Sequence, residues 1–123
     1  MADSERRMEE LMLVDDPAFE RIFECVFAVQ PHETRTYRRL LELQGSTVAE
    51  LAADLDRDRS NVNRSLATLC ETGLVNRERR LLDGGGYVYQ YFAVPVPEAQ
   101  TLMHEAVDDW AETVHGRIDQ FEP

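Results

Sequence analysis

The 123-residue chain contains no lysine. Its 13 basic residues are all arginine, set against 24 carboxylates, for a formal net charge of −11. Lysine ranks among the commonest residues of ordinary globular proteins, so its complete absence is a compositional signature. Excess carboxylate with arginine as the sole cation suits a surface kept hydrated in molar salt, and the composition predicts a halophilic protein. The same charge excludes a uniformly basic surface that would hold any polyanion indiscriminately.

Other absences narrow the class further. Two cysteines, Cys25 and Cys70, lie far apart with no CxxC, which argues against a disulfide framework and a zinc knuckle. Both sit within apolar patterns and read as buried filler, poor redox sensors. His104 and His115 are three helical turns apart, too far to share one metal within one chain. His32 beside Pro31 carries no signal. No secretory h-region is visible, and no apolar run approaches ~18 residues, so neither export nor a membrane span is expected and the cytoplasm is the default location. No nucleophile–base–orienter set and no motif-placed carboxylate pair appears, so no enzyme, cofactor or metal site is expected. Gly84–Gly86 lack the GK[ST] and following helix of a phosphate loop.

The charge that is present is unevenly placed. Residues 35–80 carry nine arginines against seven acids, whereas 1–34 carry three against nine and 81–123 one against eight. The only net basic third also holds the strongest local signals. Thr47-Val48-Ala49-Glu50 is a T-x-x-E capping box opening a helix that packs through Val48, Leu51, Ala52 and Leu55. Asp56-Arg57 forms a turn, and Asp58 is the expected N-cap of a second helix running to Thr72, with Gly73 beyond its end. Leu74–Leu82 and Tyr87–Val94 alternate like strands around Asp83-Gly84-Gly85-Gly86. Helix, turn, helix and hairpin in that order is a winged helix-turn-helix. The predicted fold class is therefore mainly α with a small β-hairpin wing, flanked by N- and C-terminal helices.

The flanks are read as follows. Residues 1–15 form a short helix or a frayed arm. Asp16 as N-cap and Pro17 at the first position start a helix to about Val29 that Pro31 ends. A third helix spans about Glu33 to Leu43 and stops at Gly45. Pro95 and Pro97 break the sheet and open a last helix over about Glu98–Gln120. The expected organisation is an arm and packing helix over 1–30, a nucleic-acid-binding domain over 31–96 and a dimerisation helix over 97–123.

Placed on a helical wheel, the second helix separates into two faces. Val62, Leu66, Leu69 and Cys70 point one way; Ser60, Arg64, Ala67, Thr68 and Glu71 point the other, flanked by Asn61 and Asn63. Arginine suits guanine O6/N7, asparagine suits adenine N6/N7, and serine contacts a base edge or phosphate. Arg59, Ser60, Asn61, Asn63, Arg64 and Thr68 are thus the candidate reading residues, with Thr47 beside them. Arg77, Arg79 and Arg80 of the hairpin can reach phosphates or a minor groove. Tyr89 and Tyr91 are expected to pack on the domain, and Arg35, Arg38 and Arg39 to balance nearby acids. In the last helix Met103, Val107, Trp110, Val114, Ile118 and Phe121 form an apolar stripe, more than a small domain easily covers, and read as a homodimer seam.

The segment from about Glu33 to Val94, and DRSNVNRSLATLCETGLV above all, resembles the winged-helix domains of archaeal MarR-, PadR- and TrmB-like transcription regulators. With its lysine-free composition and flanking helices, the whole chain resembles the haloarchaeal regulators of the oxidative-stress response. The resemblance implies a homodimer on operator DNA, with reading positions at Arg59, Ser60, Asn61, Asn63 and Arg64 and wing contacts at Arg79 and Arg80. Two buried cysteines fit poorly with the reactive thiol of redox-responsive relatives. The rival reading is a winged helix used for protein–protein contact; exposed aliphatics on the outer helix face would have favoured it, and Asn61, Asn63 and Arg64 do not. A metal- or redox-sensing switch is a third, resting only on the cysteines and histidines. At ~1 M salt the Debye length is near 3 Å, so arginine–phosphate attraction is strongly screened. Potassium or other cations held between carboxylates and phosphates are then expected partners at a DNA interface.

Overall fold

A computed structural model describes residues 2–123, with side chains from Arg7 onward. The element order is α1 (Ala2–Leu11), α2 (Phe19–Phe27), α3 (Pro31–Glu42), α4 (Val48–Leu55), α5 (Arg59–Glu71), β1 (Val75–Leu81), β2 (Tyr87–Ala93) and α6 (Val96–Asp119). The chain forms two compact units. One is Val29–Pro95; the other combines the chain up to Ala28 with Val96–Pro123.

In the Val29–Pro95 unit the Thr47–Glu50 box, the Asp56-Arg57 turn and Gly73 act as the sequence predicts. The Thr47 hydroxyl accepts the Glu50 N–H at 3.2 Å, and the Glu50 carboxylate accepts the Thr47 N–H at 2.9 Å. Two donors that α4 cannot satisfy internally are thereby paired. Asp56 closes α4 in the left-handed region (φ 52), and Arg57 N–H returns to Ala52 O at 3.0 Å, making the tight turn into α5. Gly73 (φ 83) turns the chain out of α5 where a side chain would be strained. Val62, Leu66 and Leu69 are fully buried with Leu40, Leu51 and Leu74. Each such side chain contributes about 1.5–3 kcal/mol of apolar transfer. β1 and β2 pair antiparallel from Val75↔Ala93 to Leu81↔Tyr87. Ser46 adds an antiparallel bridge to Tyr91, and the Tyr37 hydroxyl donates to Val94 O at 2.6 Å, tying the hairpin base to α3.

Several boundaries differ from the sequence reading. α2 starts at Phe19 behind an extended Ala18, so Asp16-Pro17 belongs to the lead-in. The helix begins where Phe19, Phe23 and Phe27 stack on one face, with ring centroids 6.1 and 4.9 Å apart. Pro31 does not end that helix. Ala28 does, in a left-handed conformation (φ 55), and Pro31 instead opens α3. Its missing N–H costs nothing at the first helical position. A Gln30/Glu33 capping box holds that start, with Gln30 N–H donating to Glu33 Oε1 at 2.7 Å. α6 begins at Val96, with Pro97 tolerated in its first turn for the same reason.

In the other unit α2 packs on α1 and α6. Met8, Phe23, Cys25, Val26, Ala99 and Met103 are buried. The first segment is thus a helix, followed by exposed Met12, Leu13 and Val14. No helix among the described residues is long and apolar enough to cross a membrane.

Candidate nucleic-acid interface

The faces of α5 follow its wheel. Arg59, Ser60, Asn63, Arg64, Ala67 and Glu71 are exposed, and Asn61 and Thr68 are half-buried. Arg64 donates to Asn61 Oδ1, so two of the expected base readers hold each other one turn apart. Asp58 precedes the helix in extended conformation but makes no side-chain cap bond. Thr47 is half-buried, its hydroxyl oxygen occupied by the α4 cap.

The wing meets this helix through one face. Residues directly opposite in an antiparallel ladder share a face, so Arg77, Arg79 and Leu81 lie with Tyr91, Tyr89 and Tyr87. The Arg77 guanidinium stacks 4.1 Å from the Tyr89 ring centroid, Arg79 lies 5.1 Å from that of Tyr87, and the two rings meet edge-on at 5.5 Å. Stacking holds both guanidiniums in place without cancelling their charge. Tyr91 is buried as expected, while Tyr89 is only half-buried and serves as platform for Arg77. Arg80 lies on the opposite face with Glu78, across from Val88, and its charge helps hold the Glu50 carboxyl below its ordinary range. The larger causes there are the Thr47 backbone and hydroxyl hydrogen bonds.

Between α5 and the wing lies a cleft of about 310 Å³ lined by Asn63, Ala67, Cys70, Arg77 and Tyr91. Cys70 is therefore half-buried in the cleft, not sealed in the core as the wheel implied. It sits at the wheel's edge, where the wing leaves a gap. Burial still pushes its thiol up, with Arg77 pulling the other way; Cys25 is buried and also raised, chiefly by desolvation.

Two further sets of side chains define the surroundings. Arg39 donates through Nε and Nη2 to both oxygens of Asp54 (2.5 and 3.0 Å) and through Nη1 to Glu42. These bonds raise Arg39 and hold Asp54 low, so this member of the arginine cluster has the structural role expected of it. Ser65 and His32 were not foreseen. Ser65 is buried on α5, its Oγ 3.2 Å from His32 Nδ1, a polar link between α3 and the reading helix. No sequence pattern signals a contact between residues 33 positions apart.

The predicted seam residues of α6 divide. Met103 is buried in its own unit and is not available to a partner. Trp110 and Val114 are half-buried; Val107, Ile118 and Phe121 are exposed, the last at 77%. Trp110, Val114, Ile118 and Phe121 line an open groove of about 780 Å³ with Met12 of the α1 side. Among the described residues no cluster of three or more His, Cys, Asp or Glu could hold a metal ion.

A helix-turn-helix bridged to a two-stranded hairpin, with polar and cationic side chains on the second helix and the ribbon, defines a winged-helix regulator. Residues 25–97 match the family described as sugar-specific transcriptional regulator TrmB, and the chain belongs to that family. An uncharacterized protein of Methanocaldococcus jannaschii is 36% identical over 102 residues, 83% of this chain and 84% of its own length. A solved possible transcriptional regulator from Methanosarcina mazei Go1 superposes with a TM-score of 0.77 at 24% identity, covering 85% of this chain and 88% of that one. Streptococcus pneumoniae FabT, solved in complex with DNA, has the same fold (TM-score 0.50, 16% identity, 94% and 72% covered).

Proposed function

We propose that the chain is a homodimeric regulator that reads specific duplex DNA with α5 and the wing and pairs with a second copy through the α6 groove. The observation that carries this reading is one continuous surface. The polar outer face of α5 runs across the cleft into the stacked Arg77–Tyr89 and Arg79–Tyr87 ladder. Arg59 and Arg64 suit guanine and Asn61 and Asn63 adenine. Ser60 and Thr68 suit phosphate or base edges, and Arg77, Arg79 and Arg80 the flanking backbone, while Thr47, its hydroxyl engaged by Glu50 in the α4 cap, is left out of the reading set. Arg64 must release Asn61 for both to read bases. A fold shared with a protein solved on DNA supports the assignment. Val107, Trp110, Val114, Ile118 and Phe121 form the seam, and a dimer offers two α5 helices to successive turns of DNA. Occupying a promoter then blocks or assists the transcription machinery.

The salt setting and the oxidative-stress role rest on the lysine-free composition and the resemblance. Carboxylates lie along the chain among the arginines of the reading surface: Asp58 precedes Arg59, and Glu50 feels the charge of Arg80. Potassium held between such carboxylates and phosphates would make complex formation take up cations. Enrichment of duplexes from a random pool tests the DNA reading. Asn63→Ala and Arg64→Ala should each relax the selected sequence at one position, at about 1–3 kcal/mol. Failure to enrich any sequence overturns it. Affinity for the enriched duplex, followed from low to molar KCl, should hold or rise; a steep negative slope removes the cation role. Mapping bound genomic DNA with and without oxidant tests the stress role.

A further inference from the structure

The wing ends in apolar side chains where a purely phosphate-binding ribbon would end in cations. Leu81 is 74% exposed, Tyr87 50% and Leu82 41%. Leu81 and Tyr87 are register partners, so the face that begins at the cleft with Arg77 and continues through Arg79 finishes in an exposed leucine–tyrosine pair. The tip is held in shape. Leu82 N–H donates to Gly86 O at 3.0 Å and Gly85 N–H to Leu82 O at 3.1 Å, with Gly85 and Gly86 at φ 94 and 79. Only glycine takes that backbone without strain, so the turn presents the leucines on a fixed rather than a slack loop.

We propose that this tip is an apolar wedge for the minor groove of duplex DNA, with Leu81 and Leu82 entering at a base step and kinking the duplex. The proposal rests on the DNA-binding reading above and deepens it. The minor groove is ~6 Å wide, room for a hairpin tip but not for a helix. Leucine is among the side chains that proteins insert between base steps, opening kinks of about 20–90°. Charge selects this occupant over an apolar protein surface. From Asn76 to Phe92 the wing carries three arginines against two carboxylates, in a chain of net charge −11. Arg79 and Arg80 stand just behind the leucines, on opposite faces of the ribbon, able to hold the phosphates on either side of an opened step. Apolar insertion also escapes ionic screening, unlike arginine–phosphate attraction.

The test uses the full chain and a duplex of about 30 base pairs, enriched by the unaltered protein from a random pool. Fluorophores at its ends report bending, and 2-aminopurine at successive positions reports unstacking. The unaltered protein should bend the duplex and raise 2-aminopurine fluorescence at one step outside the α5 contacts. The Leu81→Ala/Leu82→Ala variant, altered only at exposed positions, should lose both signals and bind about tenfold more weakly by the same factor at every salt concentration. Arg79→Ala should keep the unstacking signal and weaken binding most at low salt. Binding without bending or unstacking overturns the wedge and leaves the DNA reading standing. Retention of both signals in the leucine variant also overturns the wedge. No enriched duplex at all overturns both readings together.

Discussion

The two units of this molecule solve the same problem differently. Val29–Pro95 carries nine arginines and nine carboxylates; the remainder carries four arginines and fifteen carboxylates, and so the whole net charge. The first unit also closes its core, since Leu40, Leu51, Val62, Leu66, Leu69 and Leu74 are fully buried. The second leaves Met12, Phe19, Ile118 and Phe121 open beside acidic helix faces. In the unit proposed to face a polyanion, arginines offset the carboxylates, which lowers the repulsion that the rest of the chain would exert. An open apolar groove beside acidic helix faces is the surface that the proposed pairing with a second copy would cover.

That contrast is broken most directly by removing core. Leu66→Ala should cost about 2–5 kcal/mol, a large part of a typical domain's stability. Urea unfolding monitored by circular dichroism should show it as a lowered midpoint at unchanged slope. The matching change in the open groove, Ile118→Ser, should leave urea stability at low protein concentration within about 0.5 kcal/mol, as for an ordinary surface site. Equal losses at both positions would mean that the groove is core and the comparison is false.

Trp110→Ala sharpens the same contrast. A tryptophan at the middle of a seam is the residue most often responsible for association, at about 2 kcal/mol or more. Sedimentation should show a dimer weakened at least ~30-fold, and affinity for a two-half-site duplex should fall with it. An unchanged dimer reassigns α6 to packing within its own unit.

Within the reading surface, Tyr89→Leu keeps apolar bulk but removes the ring under Arg77. The expected loss is about 0.5–1 kcal/mol of DNA affinity, a few-fold in Kd, with stability nearly unchanged. No change in affinity would place Arg77 outside the interface.

Legibility in the sequence followed the range of the interactions. Thr47 and Glu50, Asp56-Arg57 and Gly73 act on neighbours within five residues, and all were readable from local chemistry. The outer face of α5 was readable because its period is fixed. Pro31 misled, since a proline can stop one helix or start the next, and the left-handed Ala28 that ends α2 has no signature in its side chain. The His32–Ser65 link depends on how α3 lies on α5. The stacking of Arg77 on Tyr89 and Arg79 on Tyr87 depends on register set at the glycine turn. The half-open position of Cys70 depends on a cleft that exists only once the wing has docked. Arg64 and Asn61, three residues apart on one helix, could have been paired from spacing alone.

The smallest effect expected lies in the α4 cap and is one of pH. Glu50 is held below its ordinary value of 4.5, first by the Thr47 backbone N–H, then by the Thr47 hydroxyl and Arg80. A carboxyl lowered on folding contributes stability that is fully present above its unfolded value and lost as pH falls through the folded one. In Glu50→Gln the amide oxygen accepts the same Thr47 N–H at every pH, because glutamine also completes a capping box. Near neutral pH the unaltered protein should melt slightly above the variant. As pH falls below the ordinary carboxyl range that gap should close, while the acid loss from Asp54, lowered by its bonds to Arg39, continues in both proteins. A gap that stays constant with pH would mean that the box acts through geometry alone and that the Glu50 charge adds nothing to the start of the helix-turn-helix.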